Sequence, residues 1–271
     1  MKSRVKALIV GFGALASGSA SAADVDMWDG QTHFDVVLYG WLPWMYTTVQ
    51  LPPIAGGGNP TIETHPSDYL KDVRGGALIQ GSIRKGDWSL WTDLVYLHLS
   101  AKPSNTRQIG LPGGDPTLEV TRSLDGDVRA AIWTLAPAYT VIRNDVGNLD
   151  VLVGLRYTDV RVSLSYQFTV LPISLQRSGG FSPKSDSTDG LLGFKGQLRL
   201  SRDAKWFLAY EADIASGNKN WQHNEFLAAG YRFHWGDLVF GMRNLDYHVA
   251  DGNILESVRM TGPLLGASFR W

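Results

Sequence analysis

The chain has 271 residues, with 25 Lys and Arg against 26 Asp and Glu, and no cysteine. This balance gives no electrostatic footprint for nucleic acid, and without cysteine neither a disulfide framework nor a thiolate site can form. Ten each of Trp, Tyr and Phe, with thirty Gly, favour a β-rich, turn-rich chain.

The first element is a targeting segment. Lys2, Arg4 and Lys6 precede an apolar run over 7–15, and small residues lead to Ala20-Ser21-Ala22. This pattern predicts a secretory signal peptide, residues 1–22, cleaved after Ala22, with 23–271 forming a single domain. Its removal lowers the bases from 25 to 22 against 26 acids, so the net charge moves from −1 to −4. After Leu15 no apolar stretch approaches the roughly twenty residues of a spanning helix. If the chain crosses a membrane it must do so as a closed barrel, the only other structure that satisfies every backbone group in lipid.

Ten strand-like segments follow: 33–45, 74–84, 88–100, 126–142, 149–164, 188–200, 205–214, 222–234, 238–248 and 257–271. Most reach the about 9–11 residues that a tilted transmembrane strand requires. Their connections alternate in length. Long polar links cover 46–73, 101–125 and 165–187, whereas 85–87, 143–148, 201–204 and 235–237 are tight. Long loops on one side and short turns on the other is the outer-membrane pattern, with the short side periplasmic. Trp88, Trp206, Trp235, Phe269 and Trp271 then fall at the short-turn interface and Trp44, Tyr46 and Tyr96 at the opposite rim, as two aromatic girdles.

Strand phase separates the faces. Leu192, Phe194, Gly196, Leu198 and Leu200 alternate with Leu191, Gly193, Lys195, Gln197 and Arg199. In the next strand Trp206, Leu208, Tyr210, Ala212 and Ile214 alternate with Phe207, Ala209, Glu211 and Asp213. A charge on the lipid face costs about 2–4 kcal/mol near the midplane. Lys195, Arg199, Glu211 and Asp213 are therefore placed in the lumen, together with Asp93, Arg156, Arg232 and Arg243, as one charge network. A soluble barrel with a ligand inside would need the opposite faces. Ten strands make a narrow barrel whose interior side chains largely fill it. Arg84, Arg199, Arg232 and Arg270 gather towards the short-turn ends of their strands, where they could meet anions or water.

In the last segment Pro263, Leu265, Ala267, Phe269 and Trp271 alternate with Gly262, Leu264, Gly266, Ser268 and Arg270. This ending resembles the C-terminal signal by which the barrel assembly machinery recognises outer-membrane proteins, carried here by Phe269 and Trp271. Leu38-Tyr39-Gly40-Trp41-Leu42-Pro43 resembles the "PYLW" opening strand of a family of uncharacterised proteobacterial outer-membrane proteins. The 91–97 strand, Gly154-Leu155-Arg156-Tyr157, Gly230-Tyr231-Arg232-Phe233, the 241–247 strand and the 262–266 stretch are similar to that family too. Gly40 replaces its usual aliphatic residue, and no proline precedes Tyr39. The resemblance implies an outer-membrane barrel and no known reaction.

Catalytic patterns are sparse. Asp246 and His248, and Glu211 and Asp213, each lie two apart and resemble the Asp–His and acidic pairs of the omptin proteases, without their neighbouring motifs. No Gly-x-Ser-x-Gly elbow, phosphate loop or EF-hand occurs. His65, His98, His223 and His248 are not paired at ligand spacing, so no metal or other cofactor is expected. The expected protein is all-β: a closed antiparallel transmembrane β-barrel of meander topology with ten strands, eight or twelve being the alternatives. It is expected in the outer membrane, as a non-enzymatic protein with a structural, loop-mediated binding or narrow-pore role, the alternative being an omptin-like membrane hydrolase. The partners expected are outer-membrane lipid and lipopolysaccharide, the assembly machinery, and a small solute or extracellular ligand of unknown identity.

Overall fold

The computed structural model describes residues 26–49, 61–70, 73–101, 104–109, 118–171, 175–181, 184–217, 220–249 and 255–271. The expected signal peptide and parts of the long links 46–73, 101–125 and 165–187 lie outside them. In chain order the elements are β1 (Thr32–Trp41), β2 (Trp44–Val49), β3 (Thr61–Thr64), α1 (Pro66–Tyr69), β4 (Val73–Lys85), β5 (Trp88–Ala101), β6 (Ser104–Ile109) and β7 (Leu118–Arg143). There follow β8 (Gly147–Leu171), β9 (Leu175–Phe181), β10 (Lys184–Arg199), β11 (Trp206–Ser216), β12 (Asn220–Phe233), β13 (Gly236–Val249) and β14 (Leu255–Arg270).

Ten of these strands form a closed antiparallel meander: β1, β4, β5, β7, β8, β10, β11, β12, β13 and β14, with β14 returning to β1. Closure leaves the barrel wall without an unpaired edge, the requirement for a sheet in lipid. The seam runs from Asp35↔Arg270 to Trp41↔Leu264. One residue below it, Phe34 and Trp271 exchange backbone hydrogen bonds at 2.8 and 3.1 Å, and their rings stack at 5.9 Å.

The expected first strand, 33–45, is two strands laid end to end along β14. The break falls at Leu42-Pro43, where Pro43 has no N–H to donate to the ladder. The long links also hold more strand than their polar composition suggested. β7 and β8 run 26 and 25 residues and stay paired from Arg143↔Asn148 out to Glu119↔Leu171. β6 and β9 add to their edges, and β3 pairs with β2. The backbone ladder thus continues past the segments marked out in the sequence, and in β8 the alternation of Val162, Leu164, Tyr166, Phe168 and Val170 with Ser163, Ser165, Gln167 and Thr169 continues with it.

The wall carries its apolar side chains outward. Leu192, Phe194, Val153, Leu155, Leu227, Phe240 and Leu265 are exposed on the outside, while Leu191, Leu152, Ala136 and Ala228 are buried within. Rings ladder around the short-turn end: Trp206 to Tyr231, Tyr231 to Phe233, Phe233 to Trp235, and Trp235 to Phe269, with centroids 4.7–5.9 Å apart. Trp88 meets Tyr139 at 4.9 Å on the other side. Towards the long-loop end Tyr96, Trp133, Tyr157 and Trp221 are exposed. Trp44 and Tyr46 sit half-buried there on β2. Two aromatic rims around an apolar belt are the exterior of a membrane-spanning barrel. Just above the upper rim, Arg129, Arg161 and Lys184 are lateral neighbours on β7, β8 and β10. Arg161 donates to Asp159 at 2.9 Å, and that bond holds the Asp159 carboxyl below the usual carboxylate value.

Candidate functional site

The lumen is divided along its axis into three zones. Nearest the long loops it is filled by a buried apolar cluster including Trp41, Met45, Val95, Ile132, Leu245 and Met260. The α1 turn inserts Tyr69 among them, and its hydroxyl donates to the Pro43 carbonyl at 2.8 Å.

Below this plug a polar layer crosses the barrel. Arg243 on β13 reaches almost to the opposite wall: Nη2 donates to Asp93 on β5 at 2.6 Å, Nη1 to the Tyr39 hydroxyl at 2.6 Å and Nε to Asn224 Oδ1 at 2.9 Å. Tyr39 in turn donates to Asp93 at 2.9 Å. The Asn224 amide donates to Glu211 at 2.7 Å and to Asp213 at 2.9 Å. Asp213 faces Arg156, whose Nη2 donates to Oδ2 at 2.9 Å and whose Nη1 lies 2.8 Å from Oδ1, while Nε donates to Thr134 at 3.0 Å. Alongside, Gln222 donates to Asp189 at 2.6 Å. Arg156 and Arg243 are 0% and 2% exposed, so each guanidinium depends on these acceptors for its solvation.

The eight charges singled out from the sequence are thus all on the lumen side of their strands, but not in one network. Asp93, Arg156, Glu211, Asp213 and Arg243 are joined through Asn224. Lys195, Arg199 and Arg232 lie nearer the short turns and form no ion pair among the described residues. Lys195 instead rests 5.2 Å from the Trp91 ring centroid. Tyr39, Thr134, Asp189, Gln222 and Asn224 escaped a search for charges on alternate residues, although Asn224 and Gln222 share the phase of Phe226 and Ala228. Arg84 also escaped the network. It grips Asp150, and gives a second bond to Thr140 at 2.7 Å.

The two pairs that resemble omptin residues lie on opposite faces of the wall. Glu211 and Asp213 point inward. Asp246 and His248 are on the outer phase of β13, where Arg259 donates to Asp246 at 2.7 Å and Trp221 stacks on His248 at 4.2 Å. Among the described residues no group of three or more His, Asp and Glu could hold a metal ion. Phe269 and Trp271 are exposed in the short-turn girdle.

The fold and lumen define a closed ten-stranded barrel of the membrane-spanning class, with its interior blocked at two levels. No family model matches the chain, and no curated protein matches it. Among solved structures it is similar to the outer membrane protease OmpT from Escherichia coli, at 10% identity over 92% of this chain and 99% of that one, with a TM-score of 0.47. It is similar also to Ail, the attachment invasion locus protein of Yersinia pestis, at 12% identity over 89% and 98%, TM-score 0.32. A third is the translocator domain of the autotransporter NalP from Neisseria meningitidis, at 15% identity over 90% of each chain, TM-score 0.38.

Proposed function

We propose that this chain is a non-enzymatic integral protein of the bacterial outer membrane, closed to solute flow, with its long-loop end outside the cell and its short turns in the periplasm. The observation that carries this reading is the blocked lumen. A water-filled path would have to pass the Arg243–Asp93–Asn224–Asp213–Arg156 layer and then the apolar plug around Tyr69. The extended β7 and β8 project from the same end, which suits a structural or loop-mediated binding role. The belt and its two rims would meet membrane lipid, including lipopolysaccharide in the outer leaflet, and Phe269 and Trp271 would be read by the assembly machinery. Against an omptin-like hydrolase stands the separation of Asp246–His248 from Glu211–Asp213 by the thickness of the wall.

Planar-bilayer recording of the refolded protein tests this reading. The expected record shows no stepwise conductance. Steady single-channel steps that change with Arg243→Ala would establish a pore instead. Incubation with a peptide library should give no cleavage, and cleavage abolished by Asp246→Asn or Glu211→Gln would establish the hydrolase.

A further inference from the structure

Beneath the charge layer the lumen opens towards the short turns as a cavity of about 720 Å³. That volume lies within the range of roughly 300–1,000 Å³ typical of small-molecule sites. Asp26, Met27 and Trp28 line its mouth, with the Arg84 guanidinium 5.1 Å from the Trp28 ring centroid. The cations of the cavity fall into two groups. Arg84 is engaged by Asp150, Arg270 by Asp237 and Arg143 by Asp87. Lys195, Arg199 and Arg232 form no ion pair among the described residues, and all three lie on the β10–β12 side.

Their setting is specific. Lys195, Gln197 and Arg199 alternate on one face of β10, so consecutive members are about 6.6 Å apart along the strand. Arg232 donates one N–H to Gln197 Oε1 at 3.1 Å, lies 5.1 Å from the Phe207 ring centroid, and keeps its Nε buried with no acceptor. Six acids line the same cavity. Asp150 and Asp237 hold Arg84 and Arg270, Asp35 accepts from Ser268 at 2.6 Å, and Glu211, the cross-strand neighbour of Lys195, accepts from Asn224 at 2.7 Å. Among the described residues no ion pair joins Asp26, Asp35, Asp145 or Glu211 to the three free cations. A buried guanidinium donor without an acceptor is costly, and two oxygens of a carboxylate or phosphate match the guanidinium fork in spacing and charge.

We propose that this cavity is a binding site for the oxyanion group, phosphate or carboxylate, of a small periplasmic molecule, held by Arg199, Arg232 and Lys195 and flanked by Phe207 and Trp91. The charge layer closes the site above, so the ligand enters and leaves by the short-turn mouth. The closed upper end and the periplasmic side of the site rest on the closed-barrel reading, whereas binding in micelles is read with both ends accessible, so its failure is distinct from a failure of that reading.

The test is calorimetric titration of the full barrel in detergent micelles, where both ends are accessible, with inorganic phosphate in one arm and glutarate in the other. Folding of every variant is checked by near-UV circular dichroism. Saturable binding of either probe is expected, weakened tenfold or more by Arg199→Gln and by Arg232→Gln and unchanged by Arg161→Gln on the outer wall. If Arg232→Gln fails to fold, Arg199→Gln, whose side chain is exposed, carries the test. Binding of phosphate alone identifies a phosphoryl ligand, and binding of glutarate alone a carboxylate ligand. No saturable binding of either probe overturns the proposal, as does binding that survives the folded lumen variants or is weakened equally by Arg161→Gln.

Discussion

Single side chains test the two faces of the wall most sharply. Leu192 faces outward near the middle of β10, between Val153 and Ile214, and is 54% exposed. Leu192→Arg should destabilise the barrel in lipid vesicles by about 2–4 kcal/mol, the cost of a cation at the midplane. Leu198 lies near the short-turn end, level with Gly147 and Leu208. There an arginine can reach headgroups, so Leu198→Arg should cost only about 0–1 kcal/mol. Urea unfolding that ranks the two variants equally, or in reverse, would contradict this placement of the belt. Within the lumen Asn224 is the hinge of the layer, since one neutral amide supplies Arg243, Glu211 and Asp213 together. Asn224→Ala leaves these buried groups a partner short and should cost about 1–3 kcal/mol. That residue shows what a search for charges misses: the charges were visible by alternation, but their connector is uncharged.

At the scale of elements, the tight links decide how the wall turns. Gly86 takes φ +58° between β4 and β5, a conformation that costs glycine nothing. Ala204 occupies the corresponding left-handed region, φ 56°, between β10 and β11. Its neighbours hold it there: Ala204 N–H donates to the Ser201 carbonyl at 3.0 Å, and Trp206 N–H to the Ser201 hydroxyl at 3.0 Å. Ala204→Gly removes the Cβ penalty, so it should raise stability by up to about 1 kcal/mol in thermal or urea unfolding, and no gain would show that the link relaxes on its own. The ten spanning strands were legible in the sequence because lipid on one side and a packed lumen on the other impose alternation. The Leu42-Pro43 break, β3, β6, β9 and the outer halves of β7 and β8 were not. Their pairing rests on backbone hydrogen bonds, which any residue but proline can supply, so the polar composition of the long links did not mark it. The inward phase of the eight chosen charges could likewise be read, whereas their division into a crossing layer and a separate basic wall depends on distances across the lumen that no single strand records.

For the whole molecule, the decisive property is that its two ends differ. One carries the extended ladder of β7 and β8 above the Arg129, Arg161 and Lys184 collar and is stoppered by Tyr69 and its apolar neighbours. The other has tight turns, a dense ladder of aromatic rings and an open cavity lined by charges of both signs. Long hydrated loops cannot be withdrawn through a narrow blocked barrel, so orientation is set once, at insertion, and each face thereafter meets a single compartment. A peptide epitope inserted between residues 109 and 118, beyond β6, should accordingly be labelled on intact cells. The same epitope in the Gly86 turn should be labelled only after the outer membrane is permeabilised, and both insertions should leave the heat-modifiable gel mobility of a folded barrel intact. Labelling of the Gly86 insertion on intact cells would reverse the orientation and turn the short-turn cavity towards the medium.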